Sequence, residues 1–383
     1  MLDAPHLANL IDLRHRFHAN PELGFEEVET AAQVADRLRA AGWDVATGIG
    51  GTGVVGTLRR GDGPSILLRA DMDALAMPEV ATPPYASRHP GRMHACGHDG
   101  HMVMLLGAAE VLAQSGGFAG TVHAVFQPAE EGRGGAKAMI EDGLLDRFPA
   151  EMAFGLHNMP GLATDEIAVV EGPQLASSDS WLCTFQGTGT HGAKPHLGRD
   201  PITAAATFLS QMQSIPGREV DPLEPAVLSA CALEAGDFDA LNVIPDAVRI
   251  GGTARAYSAA VRTQLETALE RLAKGIAKAH GLDAEYRFIR RIPPVVNAAA
   301  PVEIARQAAR SVGRLRPTFP PSTAGDDFAE FSERMPGCYA WIGNGPAVDG
   351  ALHHNGRYDF ADAAILTGVA YWVALVRAAL PLA

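Results

Sequence analysis

At 383 residues and roughly 150 residues per domain, the chain should fold as two or three domains, each large enough to bury a core. A composition of 47% hydrophobic and 20% charged residues is that of a globular protein and excludes disorder. With 44 acidic against 31 basic residues, the net charge of −13 argues against nucleic acid or an anionic membrane surface as partner.

The cysteines, Cys96, Cys183, Cys231 and Cys338, are too scattered for a disulfide framework or a paired-cysteine zinc module. The first residues, with Asp3, His6 and Asp12, lack the basic and then apolar pattern of a signal peptide. The longest apolar run, Ala363 to Val376, falls short of the ~20 residues of a membrane span. A cytoplasmic protein without a membrane partner is expected. The histidines stand out: five of the fourteen lie between His89 and His123.

Two amphipathic helices open the chain. In the second, Val28, Ala31, Ala32, Ala35 and Leu38 recur at helical spacing, and Gly42 follows as a C-terminal stop. Val54–Arg59 and Ser65–Arg69 read as strands joined by the turn Arg60-Gly61-Asp62-Gly63-Pro64. Asp99–Ala113 reads as a helix, Thr121–Gln127 as a strand, Gly135–Asp142 as a helix and Met152–Leu156 as a strand. This alternation predicts an α/β layer fold.

Further on, Trp181–Gln186, Ala226–Leu233, Ala247–Tyr257 and Ala284–Ile289 read as strands, with helices over Pro201–Met212 and Ala259–His280. The order β-α-β-β-α-β is the ferredoxin-like arrangement. A small α+β domain over 180–290 is therefore expected within an α/β domain made of 1–179 and 291–383.

Polar residues collect where strands end. Asp71 and Asp73 follow one strand, Glu130 and Glu131 another, and His157 a third. Cys96, His98 and His101 precede a helix, and His353 and His354 come late in the chain. In an open α/β sheet, loops at the strand carboxyl ends converge on one crevice. Each residue alone has a plain explanation: a turn aspartate, a buried cysteine, a surface histidine pair. Thiolate, imidazole and carboxylate meeting at one edge form instead a set suited to a transition metal.

The adjacent Glu130-Glu131 is the most informative pair. Neighbouring side chains of an extended segment diverge, so one carboxylate can bind metal while the other takes a proton from water. Gly51-Thr52-Gly53-Val54-Val55-Gly56 fits a dinucleotide fingerprint, but a strand rather than a helix follows it, so that reading fails. A serine-hydrolase nucleophile elbow is absent from the sequence.

Taken together, RADMDALAMPE (69–79), MHACGHDGH (93–101), QPAEEGRGGA (127–136), FGLHN (154–158), GTGTHGAKPH (187–196), NVIPD (242–246), GTARAY (252–257) and LHHNGRYDF (352–360) resemble the M20 metallopeptidase family. The likeness is to its aminoacylase-like branch, which includes hippurate hydrolases, N-acetyl amino-acid deacetylases and auxin-conjugate hydrolases, and it covers the whole chain.

The resemblance implies a metal-dependent amidohydrolase acting on N-acyl amino acids. Two divalent ions per subunit, zinc or manganese before cobalt or nickel, would be held by Cys96, His98, Glu131, His157 and His354. Glu130 matches the general base. Asp71 and Asp73 would orient ligands from behind.

The inserted domain resembles the family's dimerisation or lid domain, which implies a homodimer. His191 matches a residue that polarises the scissile carbonyl in the partner's site, and Asn242 and Arg255 match substrate contacts. Asp326 stands where glutamate is usual, and Ala76-Met77-Pro78 replaces the commoner Leu-Pro. The same motifs would also serve a carboxypeptidase or dipeptidase of the family, or an inactive binder of acyl amino acids.

Overall fold

The computed structural model describes residues 2–348 and 350–382, in two compact units. The first unit comprises Met1–Gly172, Val296–Pro320 and Asp326–Ala383. It is built on an eight-stranded mixed sheet. From one edge its strands are Asp44–Ile49, Gly53–Arg60, Gly120–Gln127, Ser65–Asp71, Met152–Met159, Gly337–Gly343, Glu166–Ala168 and Arg314–Arg316. The central strands Gly120–Gln127, Ser65–Asp71, Met152–Met159 and Gly337–Gly343 run parallel, so their carboxyl ends share one edge.

Those central strands carry near-continuous apolar runs because both faces are covered. The helix His98–Ser115 packs on the sheet and against Ala4–Ala19 and Ala363–Ala379. Met102, Val103, Met104, Leu105 and Leu106 are all buried there, each stabilising the fold by ~1.5–3 kcal/mol. Contact between the helices is close: a Cβ on Gly368 would lie 2.0 Å from Met104 Sδ. The segment Gly53–Arg60 pairs antiparallel with Gly120–Gln127, so the glycines before it lead into a strand and supply no helix N-terminus for a dinucleotide.

The second unit comprises Pro173–Val295 and Pro321–Gly325, wider than the expected 180–290. The return of Pro321–Gly325 is held by Ala176 N, which donates to Ser322 O and Ala324 O. Its sheet runs Ala226–Ala235, Ala247–Ala256, Ser178–Gln186, Asp283–Ile292, all antiparallel. That is the ferredoxin-like strand order. Asp179, Trp181, Cys183 and Phe185 alternate inward along one strand. The helices Pro201–Met212 and Ala259–His280 supply Phe208, Leu265 and Leu269 to the same core. Within it, Arg262 forks onto Asp179 at 2.7 and 2.9 Å.

No helix among the described residues is long and apolar enough to cross a membrane.

Candidate active site

The first unit gathers Asp71, Asp73, Cys96, His98, Glu130, Glu131, His157 and His354 at the carboxyl ends of its central strands. Asp71 ends its strand and is the register partner of Gln127. The strand Met152–Met159 extends beyond the expected Leu156, so His157 lies within the strand, in register with Trp341. Cys96 and His98 flank Gly97, which enters the helix at φ 94. His354 is held at φ 58, and its backbone N–H donates to Ala95 O at 2.8 Å.

Glu130 and Glu131 are not extended, as the sequence suggested. They sit in a turn entered through Ala129 at φ 55. Asp73 fixes that turn, its two carboxylate oxygens accepting the N–H groups of Glu130 and Glu131, each at 3.0 Å. Ligand atoms of Cys96, Glu131 and His354 lie within 4.8 Å of one another, and so do those of Glu130, Asp326 and Asp327. His98 is within the same reach of both glutamates.

Hydrogen bonds show which histidine nitrogens are available. His98 Nδ1 donates to Asp73 O at 2.9 Å, leaving Nε2 buried with no hydrogen-bond partner. His157 Nδ1 donates to Asn158 O at 2.7 Å, and its Nε2 faces Cys96 Sγ at 3.4 Å. His101 is different. Its Nδ1 donates to Asp71 Oδ1 at 2.6 Å and its Nε2 accepts from the backbone and side-chain amides of Asn158, each at 3.0 Å. Both its nitrogens are occupied, so His101 supports the cluster and has no lone pair left for a metal.

Glu131 Oε1 is likewise buried without a hydrogen bond, although His354 Nε2 lies 3.2 Å away and His98 Nε2 4.0 Å away. Unsatisfied imidazole and carboxylate atoms around a soft sulfur are what a transition-metal site requires. The donor set fits metal ions. Asp71 does not offer a free oxygen, since Arg69 Nη1 donates to its Oδ2 at 2.7 Å and His101 holds the other.

Electrostatics point the same way. Burial, then the carboxylates of Glu131 and Glu130, push the Cys96 thiol well above its usual range. Burial, Asp326 and Glu131 likewise raise Glu130 well above an ordinary carboxyl. Burial would lower His98, but Asp71 and Asp73 outweigh it and raise that imidazole to about 10. Burial and the neighbouring His101 and His353 hold His157 well below its usual value, in the neutral form that binds metal. The pocket is short of positive charge, which divalent ions would supply.

Of the groups behind the ligands, sequence reasoning named Asp71 and Asp73 but gave no role to Arg69, Asp327 or Tyr339. Arg69 is buried and contacts Asp71, Gln127 at 2.8 Å, Asp326 at 3.1 Å and Asp327 at 3.0 Å. Tyr339 donates to Asp326 at 2.6 Å, and Ala136 N to Asp327 at 2.9 Å. A charged residue inside an apolar strand, as in Leu67-Leu68-Arg69-Ala70, was the available signal. His353, set aside in favour of His354, donates to Asn158 at 2.9 Å.

A cavity of about 260 Å³ beside Glu131 and Asp73 is lined by Leu23, Ala74, Leu75, Ala76 and Arg133. A larger apolar groove of about 740 Å³, along Ala308 and Val373, includes none of these groups and is remote from the chemistry.

In the second unit, His191 pairs with Val243 in a two-stranded ribbon, and Gly192 N donates to Asn242 O at 2.7 Å. The ribbon thus brings His191 and Asn242 together, both exposed. Ala193 N donates to His191 Nδ1 at 3.0 Å. Arg255 lies on the four-stranded sheet, where its Nη1 donates to Ala254 O at 3.0 Å.

Residues 67–378 match the model of peptidase family M20/M25/M40. The chain is 41% identical to the hippurate hydrolase of Campylobacter jejuni, over 95% of this chain and 94% of that protein. It is 40% identical to the N-acetyl-L-cysteine deacetylase of Bacillus subtilis, over 87% and 80%. The crystal structure of the Bacillus subtilis YXEP protein, described as a dinuclear metal binding peptidase of family M20, superposes with a TM-score of 0.87 at 33% identity and covers 99% of each chain.

Proposed function

The chain belongs to peptidase family M20/M25/M40, and we propose that it hydrolyses the amide bond of N-acyl amino acids at a site holding two divalent metal ions. The observation that carries this reading is the pair of buried, unsatisfied atoms His98 Nε2 and Glu131 Oε1, close to Cys96 and to the carboxylate of Glu130. Cys96, His98, Glu131, His157 and His354 are the proposed ligands, with zinc or manganese as the ions. The names of the hippurate hydrolase and the deacetylase support the substrate class.

Bound there, the ions would polarise the scissile carbonyl and acidify a water. Glu130 takes the proton of the attacking water and passes it to the leaving nitrogen. Its raised affinity for a proton, set by burial and by Asp326 and Glu131, suits a base whose charge the ions partly offset. Asp73 holds Glu130 and Glu131 by their backbones. His191 would donate to the carbonyl oxygen, Asn242 and Arg255 would contact the substrate, and the small cavity beside Glu131 would receive the acyl group.

Assembly as a homodimer through the second unit is part of the proposal. Its support is the edge strand Ala226–Ala235, which leaves Val227 and Leu233 exposed. Four cysteines without a disulfide are compatible with the cytoplasm.

The test is a panel of N-acetyl, N-benzoyl and N-indoleacetyl amino acids beside dipeptides, using protein stripped by chelator and reloaded with single metals. N-acyl amino acids should turn over only after reloading. Faster turnover of dipeptides than of every N-acyl amino acid would overturn the reading in favour of a dipeptidase.

A further inference from the structure

We propose that Asn158 is a positioning residue that sets the metal ligands against one another; the proposal rests on the two-metal reading above. The side chain is fully buried, and each of its polar atoms leads to a segment that carries a ligand. Separately from the side chain, the Asn158 backbone carbonyl accepts His157 Nδ1–H at 2.7 Å and so presents His157 Nε2 to the cluster. The side-chain Nδ2 donates to the Cys96 carbonyl at 2.6 Å and to His101 Nε2 at 3.0 Å. Its Oδ1 accepts from the Tyr358 hydroxyl at 2.6 Å and from His353 Nε2 at 2.9 Å, which holds the loop presenting His354.

The amide has one workable orientation. The Cys96 carbonyl can only accept, so the nitrogen must face it, and the oxygen then meets two donors. An aspartate here would place a carboxylate oxygen against the Cys96 carbonyl and would leave His101 only the backbone N–H of residue 158 as donor. Local packing is shaped around the same amide. A Cβ on Gly97 would lie 2.3 Å from Asn158 Nδ2 and 2.5 Å from the Tyr358 hydroxyl, so the ligand loop requires glycine between Cys96 and His98.

His101, held between Asp71 and Asn158, extends the chain of contacts to Arg69. Strand, helix start and late loop, separated by as many as 200 residues in sequence, thus meet on one side chain. Groups behind a metal site that fix ligand orientation are typically worth 10- to 100-fold in metal affinity.

Asn158→Asp, Asn158→Ala and Tyr358→Phe test this in the full-length protein loaded with cobalt(II) or zinc. The readouts are metal affinity and the near-ultraviolet charge-transfer absorption of the cobalt–Cys96 thiolate bond. Both Asn158 variants should bind metal 10- to 100-fold more weakly and lose most of the thiolate band while far-ultraviolet circular dichroism stays that of wild type. Tyr358→Phe, which removes one donor at almost constant volume, should show a smaller loss of the same kind.

A merely structural role would lower the melting temperature of metal-free protein and leave the band intact. Wild-type affinity and an unchanged band in Asn158→Asp overturn the proposal. If neither Asn158 variant folds, Tyr358→Phe decides, and wild-type affinity with an unchanged band in that variant overturns it. A wild-type protein that binds no cobalt would refute the two-metal reading and this proposal with it. Normal cobalt binding without hydrolysis of N-acyl amino acids would refute only the substrate assignment.

Discussion

Replacing Arg69 by methionine should destabilise the first unit severely. The guanidinium sits among Asp71, Asp326 and Asp327 at 2.7 to 3.1 Å, with the Gln127 side chain alongside. Methionine keeps much of the stem but leaves three buried carboxyls without their cation. Breaking a buried pair in this way costs about 3–5 kcal/mol, a large share of a total stability of roughly 5–15 kcal/mol.

Proton uptake sets how much of that cost is felt. Burial raises Asp327 to about 7 even though Arg69 opposes the rise, so without Arg69 that carboxyl binds its proton more tightly still. Carboxyls with raised folded pKa values are least costly at low pH, so the deficit should be smallest near pH 5 and grow towards pH 8.

Urea unfolding followed by tryptophan fluorescence measures it. In a Trp181→Phe background the signal comes from Trp43, Trp341 and Trp372 of the first unit. Combining Arg69→Met with Asp327→Asn should cost at least about 1 kcal/mol less than the sum of the separate losses, because the second change removes one of the orphaned charges. A loss under about 1 kcal/mol at pH 7, or strict additivity, would refute the reasoning.

Glu130→Gln keeps shape but cannot accept a proton, so turnover should fall at least ~100-fold with metal content unchanged; metal loss in that variant, with retention in Glu131→Gln, would exchange the two assignments. Subunits carrying His191→Ala and Glu130→Gln should each be inactive, and a fully exchanged mixture should recover about a quarter of wild-type activity, since half the dimers are mixed and each has one intact site; no recovery after proven exchange means that His191 does not serve a partner. His18, buried between Asp99 and Glu79, is raised from 6.5 to about 9, its partners outweighing the effect of burial. Its stabilisation is therefore complete below pH 6.5 and lost as pH rises through about 9, at most about 3 kcal/mol. His18→Gln should flatten that part of the stability profile, and parallel profiles for the two proteins would count against it.

The residues gathered at the sheet edge were legible because their chemistry is concentrated in short stretches at strand ends and helix starts. Asp71, Cys96, His98, Glu130, Glu131 and His157 all came from that rule. What the sequence concealed was local geometry and distant closure. Strand periodicity gives no account of Ala129 at φ 55, so a turn read as extended chain. His157 lies inside its strand because pairing with Gly337–Gly343 continues to Met159, and that partner is remote in sequence. Arg69 meets Asp326 across 257 positions, and no local pattern announces such a contact. The short return of Pro321–Gly325 to the second unit has no periodicity to read. His101 shows a different limit: its residue type fits a ligand, and nothing in the sequence announces that both its nitrogens are taken up by Asp71 and Asn158.

The glycines of His94-Ala95-Cys96-Gly97-His98-Asp99-Gly100-His101 bear on how living and dead relatives are told apart. A Cβ at Gly97 would strike Asn158 and Tyr358, and one at Gly100 would lie 2.3 Å from the Phe360 ring. Neither substitution removes a donor atom, yet each would pry apart the segments that bring the donors together. A homologue could retain every histidine, glutamate and cysteine of the site and still be silent through a single added methyl group. An inventory of coordinating residues is therefore insufficient to diagnose activity in this group of sequences; the two small residues between them must be counted as well.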